Sequence, residues 1–335
     1  MLSGFRTLVL CGALLAVVMW SYALIQAESA IRLPVLTPPE MPGSRVPSDA
    51  RVPATLHAAL PETLLRESPP PWPQRKEGVP DIILESRAAY AVTDESRELF
   101  ALNAEETLPI ASITKLLTAL LVLDRLPLEA PVPITLAAIQ VEGDSAHLSA
   151  GETLSAHDAI LALLLPSSND AAFALAQAAG GLSDFIAALN TKAQAIGMTT
   201  PHFTNPHGLA PPGNTATAKD TAALLREAIR KPILRDMLQQ AQVEVQSKDG
   251  RRHLFENTDI LLSRLPGALG GKTGYTLESQ GTLVFAFSPM AALESRQVQQ
   301  EDTVVITAVL GSKDRFADTE ALARWVLQAY AWQER

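Results

Sequence analysis

Cysteine is almost absent from this 335-residue chain, and the one that is present, Cys11, lies in an apolar N-terminal segment. An intramolecular disulfide is therefore excluded, and no cysteine pair has the spacing of a zinc site. The six histidines are scattered. His202 and His207 lie near each other in sequence but have no evident third ligand, so we expect them to serve as structural hydrogen-bonding groups. The sequence gives no reason to expect a metal or an organic cofactor.

Positive charge is also scarce. The chain has 27 Lys and Arg residues against 36 Asp and Glu residues, which gives a net charge of -9. A protein that follows nucleic-acid phosphates needs an excess of Lys and Arg, so we expect no nucleic-acid partner. Hydrophobic residues make up 47% of the chain, and a chain of this length and composition can bury a large core.

The first 30 residues are expected to lie outside the folded domain. Arg6 is followed by an uncharged apolar run over residues 7–25. As a helix this run would be about 28 Å long, close to the thickness of a membrane's hydrocarbon core. A cleaved signal peptide would have a shorter apolar region and a clear cleavage site, so the length favours an uncleaved membrane anchor. Either interpretation sends the rest of the chain out of the cytoplasm, because the positive charge stays inside.

Proline is concentrated in residues 31–80, which contain half of the chain's 24 prolines. Proline fixes φ and lacks an amide donor, so this stretch cannot build the interior of a helix or sheet. It is typical of a semi-extended linker, with room for a short helix at residues 54–66. We expect the globular domain to run from residue 81 to residue 335.

Within that domain, strand patterns lie at both ends and helical patterns lie between them. The predicted strands are residues 88–93, 98–103, 242–246, 269–275, 281–287 and 303–309. The predicted helices are residues 110–126, 156–165, 170–179, 182–196, 218–229 and 314–330. This order predicts an α+β fold, a sheet flanked by helices with an inserted helical lobe, and not an alternating βαβ fold.

Ser112 and Lys115 lie three residues apart at the start of the most apolar predicted helix. Such residues share one helix face, so the lysine amine can reach the serine hydroxyl. Serine needs a neighbouring base to act as a nucleophile, and burial lowers the pKa of a lysine towards that role. A Ser-x-x-Lys match is expected about once by chance in a chain this long. The alternative is therefore an ordinary helix start with a solvated lysine.

Ser167, Ser168 and Asn169 follow Pro166 and precede a predicted helix, so helix capping alone could explain them. A loop between two packed helices can also hold Ser167 and Asn169 at a cleft. In that role Ser167 would relay a proton between Lys115 and a leaving amine. Asn169 would orient Lys115 and the amide of a substrate.

Lys272, Thr273 and Gly274 lie in a predicted strand. Lys272 offers a cation and Thr273 a hydroxyl to a substrate carboxylate. Gly274 has no Cβ and lets a substrate backbone approach, so an extended substrate could pair along the strand. The amide of Tyr275 would complete an oxyanion hole with the amide of Ser112. A hairpin with a solvated lysine is the alternative if the other two motifs are ignored.

The three motifs in this order are the signature of β-lactamases and penicillin-binding proteins. From about residue 81 onward, the chain resembles the low-molecular-mass penicillin-binding proteins, the S11-type serine D-alanyl-D-alanine carboxypeptidases. Residues 109–116, 165–172, 202–209 and 271–276 carry the resemblance.

This resemblance implies a β-lactamase/transpeptidase-like fold with an antiparallel sheet. It implies peptidoglycan stem peptides as substrates and β-lactams as covalent inhibitors. It also implies catalytic roles for Ser112 as acyl-ester nucleophile, Lys115 as proton acceptor and Ser167 as their partner. The substrate-binding residues would be Asn169, Lys272, Thr273, Gly274 and Tyr275.

Three alternatives remain. Many family members carry a second β-rich domain and a C-terminal anchor, whereas the shorter architecture expected here also resembles endopeptidases that cleave cross-links. A class A β-lactamase needs a Glu-x-x-x-Asn arrangement that residues 204–208 do not provide. A non-catalytic wall-binding protein, with the proline-rich linker as its functional part, is disfavoured by the complete set of motif residues.

Overall fold

The computed structural model describes residues 73–209 and 213–333. The strands there are β1 Gln74–Arg75, β2 Ala88–Thr93, β3 Glu98–Leu102, β4 Leu108–Pro109, β5 Pro131–Pro133, β6 Thr153–Ser155, β7 Thr215–Ala216, β8 Gln242–Gln246, β9 Arg252–Glu256, β10 Ala268–Thr276, β11 Gln280–Phe287, β12 Val305–Ser312 and β13 Tyr330–Ala331. The α-helices are α1 Thr114–Arg125, α2 Leu136–Ile139, α3 Ala156–Leu164, α4 Asn169–Ala178, α5 Leu182–Ala195, α6 Ala218–Ile229, α7 Pro232–Leu238, α8 Leu261–Arg264, α9 Pro289–Glu294 and α10 Arg315–Ala329. A 3-10 turn, Ala111–Ile113, precedes α1.

The central sheet is antiparallel and joins strands from both ends of the domain. Its order is β10-β11-β12-β2-β3. The junction between the two ends is the pairing of β12 with β2, in which Thr307 lies opposite Ala91. The helices between β4 and β8 form the inserted lobe. The predicted α+β class and the antiparallel sheet are therefore confirmed, and β10, which carries the third motif, is an edge strand.

Apolar side chains cover both faces of this sheet. Successive residues of a strand point to opposite faces. Along β12, Val305 and Val309 join the cluster packed against α10, whereas Ile306, Ala308 and Leu310 join the cluster packed against the helical lobe. The sheet is thus a middle layer, with its long C-terminal helix on one side and the lobe on the other.

Helix α1 crosses the centre of the lobe and is apolar on nearly every side. All residues from Thr114 to Val122 are buried, as the sequence pattern predicted for a helix enclosed by other elements. The predicted start at residue 110 is too early for an α-helix, because the 3-10 turn Ala111–Ile113 occupies that position. The turn leaves Ser112 half-buried, whereas Lys115 is fully buried.

The N-terminal boundary of the domain lies earlier than predicted. Gln74–Arg75 pairs with Tyr330–Ala331, and the Arg75 guanidinium lies 4.6 Å from the centroid of the Trp325 ring. The predicted linker boundary at residue 80 is therefore corrected, because residues 74 and 75 already belong to the fold. A two-residue strand leaves no periodic pattern in the sequence, which is why it was not predicted.

The predicted membrane anchor, the linker up to residue 72 and the helix at residues 54–66 lie outside the described residues. Over residues 73–209 and 213–333, no single helix is long and apolar enough to cross a membrane. Helices α4 and α5 reach that length and apolarity only as a pair, across a bend of 97°.

Candidate active site

Ser112 lies in the turn before α1, and three hydrogen bonds with Asn214 and Thr282 fix this turn. The Ile110 amide donates to the Asn214 carbonyl at 3.0 Å, and the Thr282 hydroxyl donates to the Ile110 carbonyl at 3.3 Å. The Asn214 side chain also donates to Thr114 Oγ1 at 3.0 Å. Ser112 is therefore held at the point where the sheet, the helical lobe and the segment before β7 meet.

Lys115 reaches Ser112 as the spacing predicts. Its Nζ lies 2.7 Å from Ser112 Oγ, 2.7 Å from Asn169 Oδ1 and 3.0 Å from the His207 carbonyl oxygen. The last two neighbours can only accept hydrogen bonds, whereas the serine hydroxyl can also donate. A neutral lysine has two hydrogens and one lone pair. It can donate to Asn169 and His207 while it accepts the hydroxyl proton of Ser112.

The surroundings of Lys115 favour that neutral form. Burial holds its pKa well below the ordinary value of 10.5, and the positive charge of Lys272 lowers the pKa further. The carboxylates of Asp144 and Asp170 act in the opposite direction but do not outweigh the desolvation. An amine without full hydration is poorly stabilised as a cation. The buried amine beside Ser112 can therefore serve as a base.

Asn169 is oriented by the loop between α2 and β6. Its side-chain amide donates to the Glu142 carbonyl at 2.7 Å, and its backbone amide donates to the Asp144 carbonyl at 2.8 Å. These bonds direct Oδ1 towards Lys115. Gly143, with a φ of +96°, lies so close that a Cβ there would be 2.6 Å from Asn169 Nδ2. The predicted orienting role of Asn169 requires this geometry and stays a prediction.

Ser168 performs the helix capping predicted for this motif, whereas Ser167 takes no part in it. Ser168 caps α4, since its Oγ accepts from the Ala171 amide at 3.0 Å. Ser167 is 2% exposed, has a φ of +65°, and its Oγ has no hydrogen-bond partner among the described residues. A buried hydroxyl without a partner and a strained backbone are both unfavourable, and such features concentrate at functional sites.

The third motif lies on edge strand β10 and touches the turn Ala111–Ile113, which carries Ser112. A Cβ at Gly274 would lie 2.9 Å from the Ser112 amide nitrogen and 2.5 Å from Thr282 Oγ1. The glycine was predicted to admit a substrate backbone, and the geometry adds a reason within the chain, because any side chain would push β10 away from Ser112. Tyr275 follows directly, and its side chain is 57% exposed.

Lys272 and Thr273 are both buried, at 1% and 4% exposure. Lys272 Nζ donates to the Thr273 carbonyl at 3.1 Å. Burial lowers the pKa of Lys272 to about 7, the positive charge of Arg315 contributes in the same direction, and Asp144 and Asp259 oppose it. An anion bound beside this lysine would restore its charge.

The sequence matches the S11 peptidase family, described as D-alanyl-D-alanine carboxypeptidase, over residues 77–313. The chain belongs to this family. A D-alanyl-D-alanine carboxypeptidase of Mycobacterium tuberculosis is 38% identical over 180 residues, which cover 53% of this chain and 62% of that protein. A D-alanyl-D-alanine endopeptidase of Pseudomonas aeruginosa is 32% identical over 271 residues, which cover 79% of this chain and 83% of that protein.

Solved structures of DD-peptidases share the fold of this S11 peptidase. A crystal structure of the D-alanyl-D-alanine carboxypeptidase from Mycobacterium tuberculosis superposes with a TM-score of 0.68 at 28% identity, covering 78% of this chain and 99% of that one. The Streptomyces K15 DD-transpeptidase gives a TM-score of 0.68 at 26% identity, covering 75% and 100%. The predicted transpeptidase-like fold is therefore confirmed.

Two charged residues of the S11 peptidase site were not predicted. Arg315 begins α10, and its Nε is buried without a hydrogen-bond partner among the described residues. Asp259 is 3% exposed, and burial raises its pKa to about 6, although the Leu261 amide and the charges of Lys272 and Arg315 lower it. Both residues affect Lys272 electrostatically. They belong to no local sequence motif. Only the assembled sheet and α10 bring them near Lys272.

The predicted loop at residues 202–209 packs against helix α1, which follows Ser112. Thr118 Oγ1 donates to the Pro206 carbonyl at 2.7 Å, and the His207 carbonyl accepts from Lys115. Burial, together with the charge of Lys115, lowers the pKa of His207 to about 4. Its Nδ1 accepts from the Leu209 amide at 3.1 Å. His207 is therefore a neutral structural group, and over the described residues no cluster of His, Cys, Asp and Glu could hold a metal ion.

Gly208 should be indispensable to this arrangement. A Cβ there would lie 1.9 Å from the Ala111 carbonyl oxygen, and its φ is +90°. We expect Gly208→Ala to lower the free energy of unfolding by about 3 kcal/mol or more and to slow acylation of Ser112. Gly197→Ala is the matched control, because Gly197 has a φ of +88° and no atom within 4 Å of an added Cβ.

Urea unfolding and a time course of penicillin acylation would measure both effects. The control should lose about 1 kcal/mol of stability, from backbone strain alone, and should keep its acylation rate. Equal losses for the two variants would contradict the close approach of Gly208 to the turn that carries Ser112.

Proposed function

We propose that this S11 peptidase hydrolyses the terminal D-alanyl-D-alanine bond of peptidoglycan stem peptides through an acyl-enzyme on Ser112. The observation that carries the proposal is the fully buried Lys115 amine, 2.7 Å from Ser112 Oγ. The pairing of a serine with a base whose pKa is lowered is what nucleophilic catalysis by a hydroxyl requires. The substrate follows from the family and from Lys272 and Arg315, the positively charged groups on and near β10.

In the first step Ser112 Oγ attacks the carbonyl carbon between the two D-alanines. Its proton passes to Lys115 Nζ as the new C–O bond forms, and the carbonyl electrons move to the oxygen. The amides of Ser112 and Tyr275 are suited to hold this oxyanion, because β10 packs directly against the turn that carries Ser112. Asn169 and the His207 carbonyl hold Lys115 in place throughout.

In the second step the C–N bond breaks and the terminal D-alanine leaves. Its nitrogen needs the proton that Lys115 received, and the unpartnered hydroxyl of Ser167 is suited to relay it. Water then attacks the ester carbon, gives one proton to Lys115 and releases the shortened peptide. Ser112 recovers its proton as the ester bond breaks, so the enzyme returns to its starting state.

The terminal carboxylate of the substrate would bind Lys272 and Thr273, with Arg315 as a further positive charge. Lys272 and Thr273 lie on β10, and the charge of Arg315 acts on Lys272. A buried lysine with a pKa of about 7 is suited to this task. Its partly neutral state limits the cost of burying an unpaired charge, and the incoming carboxylate stabilises the charged state.

This assignment predicts a pH dependence. Lys272 is protonated below about pH 7 in the free enzyme, whereas the terminal carboxylate of a peptide is ionised well below that pH. We expect kcat/KM for peptides to fall by about tenfold per pH unit above pH 7 as Lys272 loses its proton. Lys272→Arg keeps a charge at this position and should remove the alkaline decline up to pH 9. A decline of equal slope in that variant would contradict the role of Lys272.

The experiment that tests the proposed function compares two substrates on purified full-length protein. One is a pentapeptide stem ending in D-Ala-D-Ala, and the other is a cross-linked dimer without that ending. Mass spectrometry of the products should show D-alanine release from the first as the faster reaction. Cleavage of the dimer alone would establish the alternative, an endopeptidase, which the Pseudomonas aeruginosa relative's name and its longer alignment favour. No cleavage of either would contradict both.

The same mechanism makes β-lactams covalent inhibitors, because their carbonyl is attacked by Ser112 and the leaving amine stays tethered. A stable adduct on Ser112 is therefore expected. Rapid hydrolysis of the drug would instead support a β-lactamase.

We also propose that the domain acts outside the cytoplasm, anchored by its N-terminal segment. The supporting observations are the uncharged residues 7–25 and a substrate that belongs to the cell wall. Full-length protein should remain in the membrane pellet after carbonate extraction, and a variant that lacks residues 1–30 should be released. Recovery of both proteins in the soluble fraction would contradict the anchor.

A further inference from the structure

Thr273, the hydroxyl of the third motif, is paired with a second threonine. Thr258 Oγ1 and Thr273 Oγ1 lie 2.6 Å apart, and either atom can be the donor. Among the described residues this is the hydrogen bond that each hydroxyl makes. One hydrogen lies between the two oxygens, and the other is free to point elsewhere. Which threonine donates therefore decides whether Thr273 can offer its hydrogen to a ligand.

The turn that carries Thr258 is fixed by hydrogen bonds to the end of α3, to the segment before β8 and within the turn itself. Its amide donates to the Leu165 carbonyl at 3.1 Å, two residues before Ser167. The preceding Asn257 donates from its side chain to the Gln240 carbonyl at 2.9 Å, and its Oδ1 accepts from the Asp259 amide at 2.9 Å. The Thr258 hydroxyl therefore has little freedom to move away from Thr273.

We propose that Thr258 is a positioning residue for substrate recognition: it donates its hydroxyl hydrogen to Thr273 and thereby directs the Thr273 hydroxyl to the terminal carboxylate of the peptide. This inference rests on the proposed function of the site. It assigns a role to a residue outside the three motifs. Thr258 links Leu165, two residues before Ser167, to β10, through its backbone amide on one side and its hydroxyl on the other.

The charge distribution favours this direction of donation. A carboxylate only accepts hydrogen bonds, so Thr273 must donate when a peptide is bound. A hydroxyl that accepts one hydrogen bond becomes a better donor of its own hydrogen, because the chain of bonds is polarised. Lys272 and Arg315 place positive charge near the same position, which attracts the carboxylate towards the Thr273 hydroxyl. Thr258 then acts on binding, through Thr273, and not on the chemistry at Ser112.

Thr258→Val removes the hydroxyl and keeps the shape of the side chain, and Thr258→Ser keeps the hydroxyl. Thr200→Val is a matched control, because it breaks another threonine hydroxyl pair, Thr107–Thr200 at 3.1 Å, between two exposed residues outside the three motifs. Two peptides are compared on full-length protein. They are identical except that one ends in a D-alanine carboxylate and the other in the D-alanine carboxamide.

We expect Thr258→Val to raise KM for the carboxylate peptide by about threefold to tenfold, with kcat nearly unchanged. This factor corresponds to the usual net free energy of one hydrogen bond. Thr258→Ser should restore the wild-type KM, and Thr200→Val should not alter it. With the carboxamide peptide, Thr258→Val should raise KM by a smaller factor, because the neutral carboxamide oxygen accepts a weaker hydrogen bond than a carboxylate.

Carboxylate recognition by the site and the positioning role of Thr258 are contradicted by different results. If wild type turns over neither peptide, or both equally well, the proposed carboxylate recognition is wrong. If wild type prefers the carboxylate peptide but Thr258→Val has unchanged KM, or loses the same factor with both peptides, the positioning role of Thr258 is wrong.

Discussion

Ser112→Ala should lower D-alanine release from a pentapeptide by at least about 10³-fold, and up to about 10⁶-fold. The reason is that the substitution removes the oxygen that attacks the substrate. Lys115 Nζ, although 2.7 Å from Ser112 Oγ, is fully buried behind it. A discontinuous assay with mass detection of D-alanine has the range to measure this loss.

Ser183→Ala is the control for this variant, since Ser183 is exposed on α5 and takes no part in the site. It should retain wild-type activity. The folded state of Ser112→Ala can be checked by its thermal unfolding midpoint, which should stay close to that of wild type, because a half-buried hydroxyl is lost and no cavity is opened in the core. Residual activity within about tenfold of wild type would exclude Ser112 as the nucleophile.

Changing Lys115 should produce the second-largest loss. Lys115→Met keeps the length and apolar character of the side chain without a basic nitrogen, and Lys115→Arg keeps a nitrogen that stays protonated at every relevant pH. Both should slow acylation of Ser112 by about 10²- to 10⁴-fold, the usual contribution of a positioned base. The buried, neutral amine explains why the charged replacement is expected to be no better than the uncharged one.

Lys192→Met serves as the matched control, because Lys192 is a surface lysine paired with Asp124 at 2.7 Å. It should acylate at the wild-type rate. Acylation time courses, quenched at set times and repeated at several pH values, give the rate of Ser112 acylation. In wild type the rate should fall as acid protonates Lys115, and this decline should vanish in Lys115→Met. Wild-type acylation by Lys115→Arg would contradict the proposal that Lys115 acts as a base.

Part of this site could be predicted from the sequence because it depends on local geometry. The approach of Lys115 to Ser112 follows from their spacing on a helix. The edge strand that carries Lys272 could be predicted from its pattern and from the Lys-Thr-Gly motif. Helices α3 to α6 begin within one residue of the predicted positions, since their apolar patterns and caps lie within each segment.

The remainder depends on contacts between distant segments. Arg315, Asp259 and Thr258 reach Lys272 and Thr273 only after the sheet and α10 have assembled, and no spacing rule connects them. The need for Gly208 depends on the Ala111 carbonyl, which is 97 residues away (208 − 111 = 97). Strand β9 was not predicted, because its residues are mostly polar and its partner β8 alone gives it an extended form.

Ser167 shows what the structure adds to a motif. The sequence allowed two roles, helix capping and catalysis, for the same three residues. Capping is performed by Ser168, so the strained and unpartnered Ser167 has no structural duty among the described contacts. This separation supports the proposed proton relay more strongly than the motif alone.

The most direct test of the acyl-enzyme is intact-mass spectrometry of the full-length protein mixed with benzylpenicillin, in wild type and in Ser112→Ala. The mechanism predicts a stable mass increase of one drug molecule on wild type, located by peptide mapping on Ser112 and absent from Ser112→Ala. Unmodified wild-type protein beside intact drug, or an adduct that persists in Ser112→Ala, would contradict it.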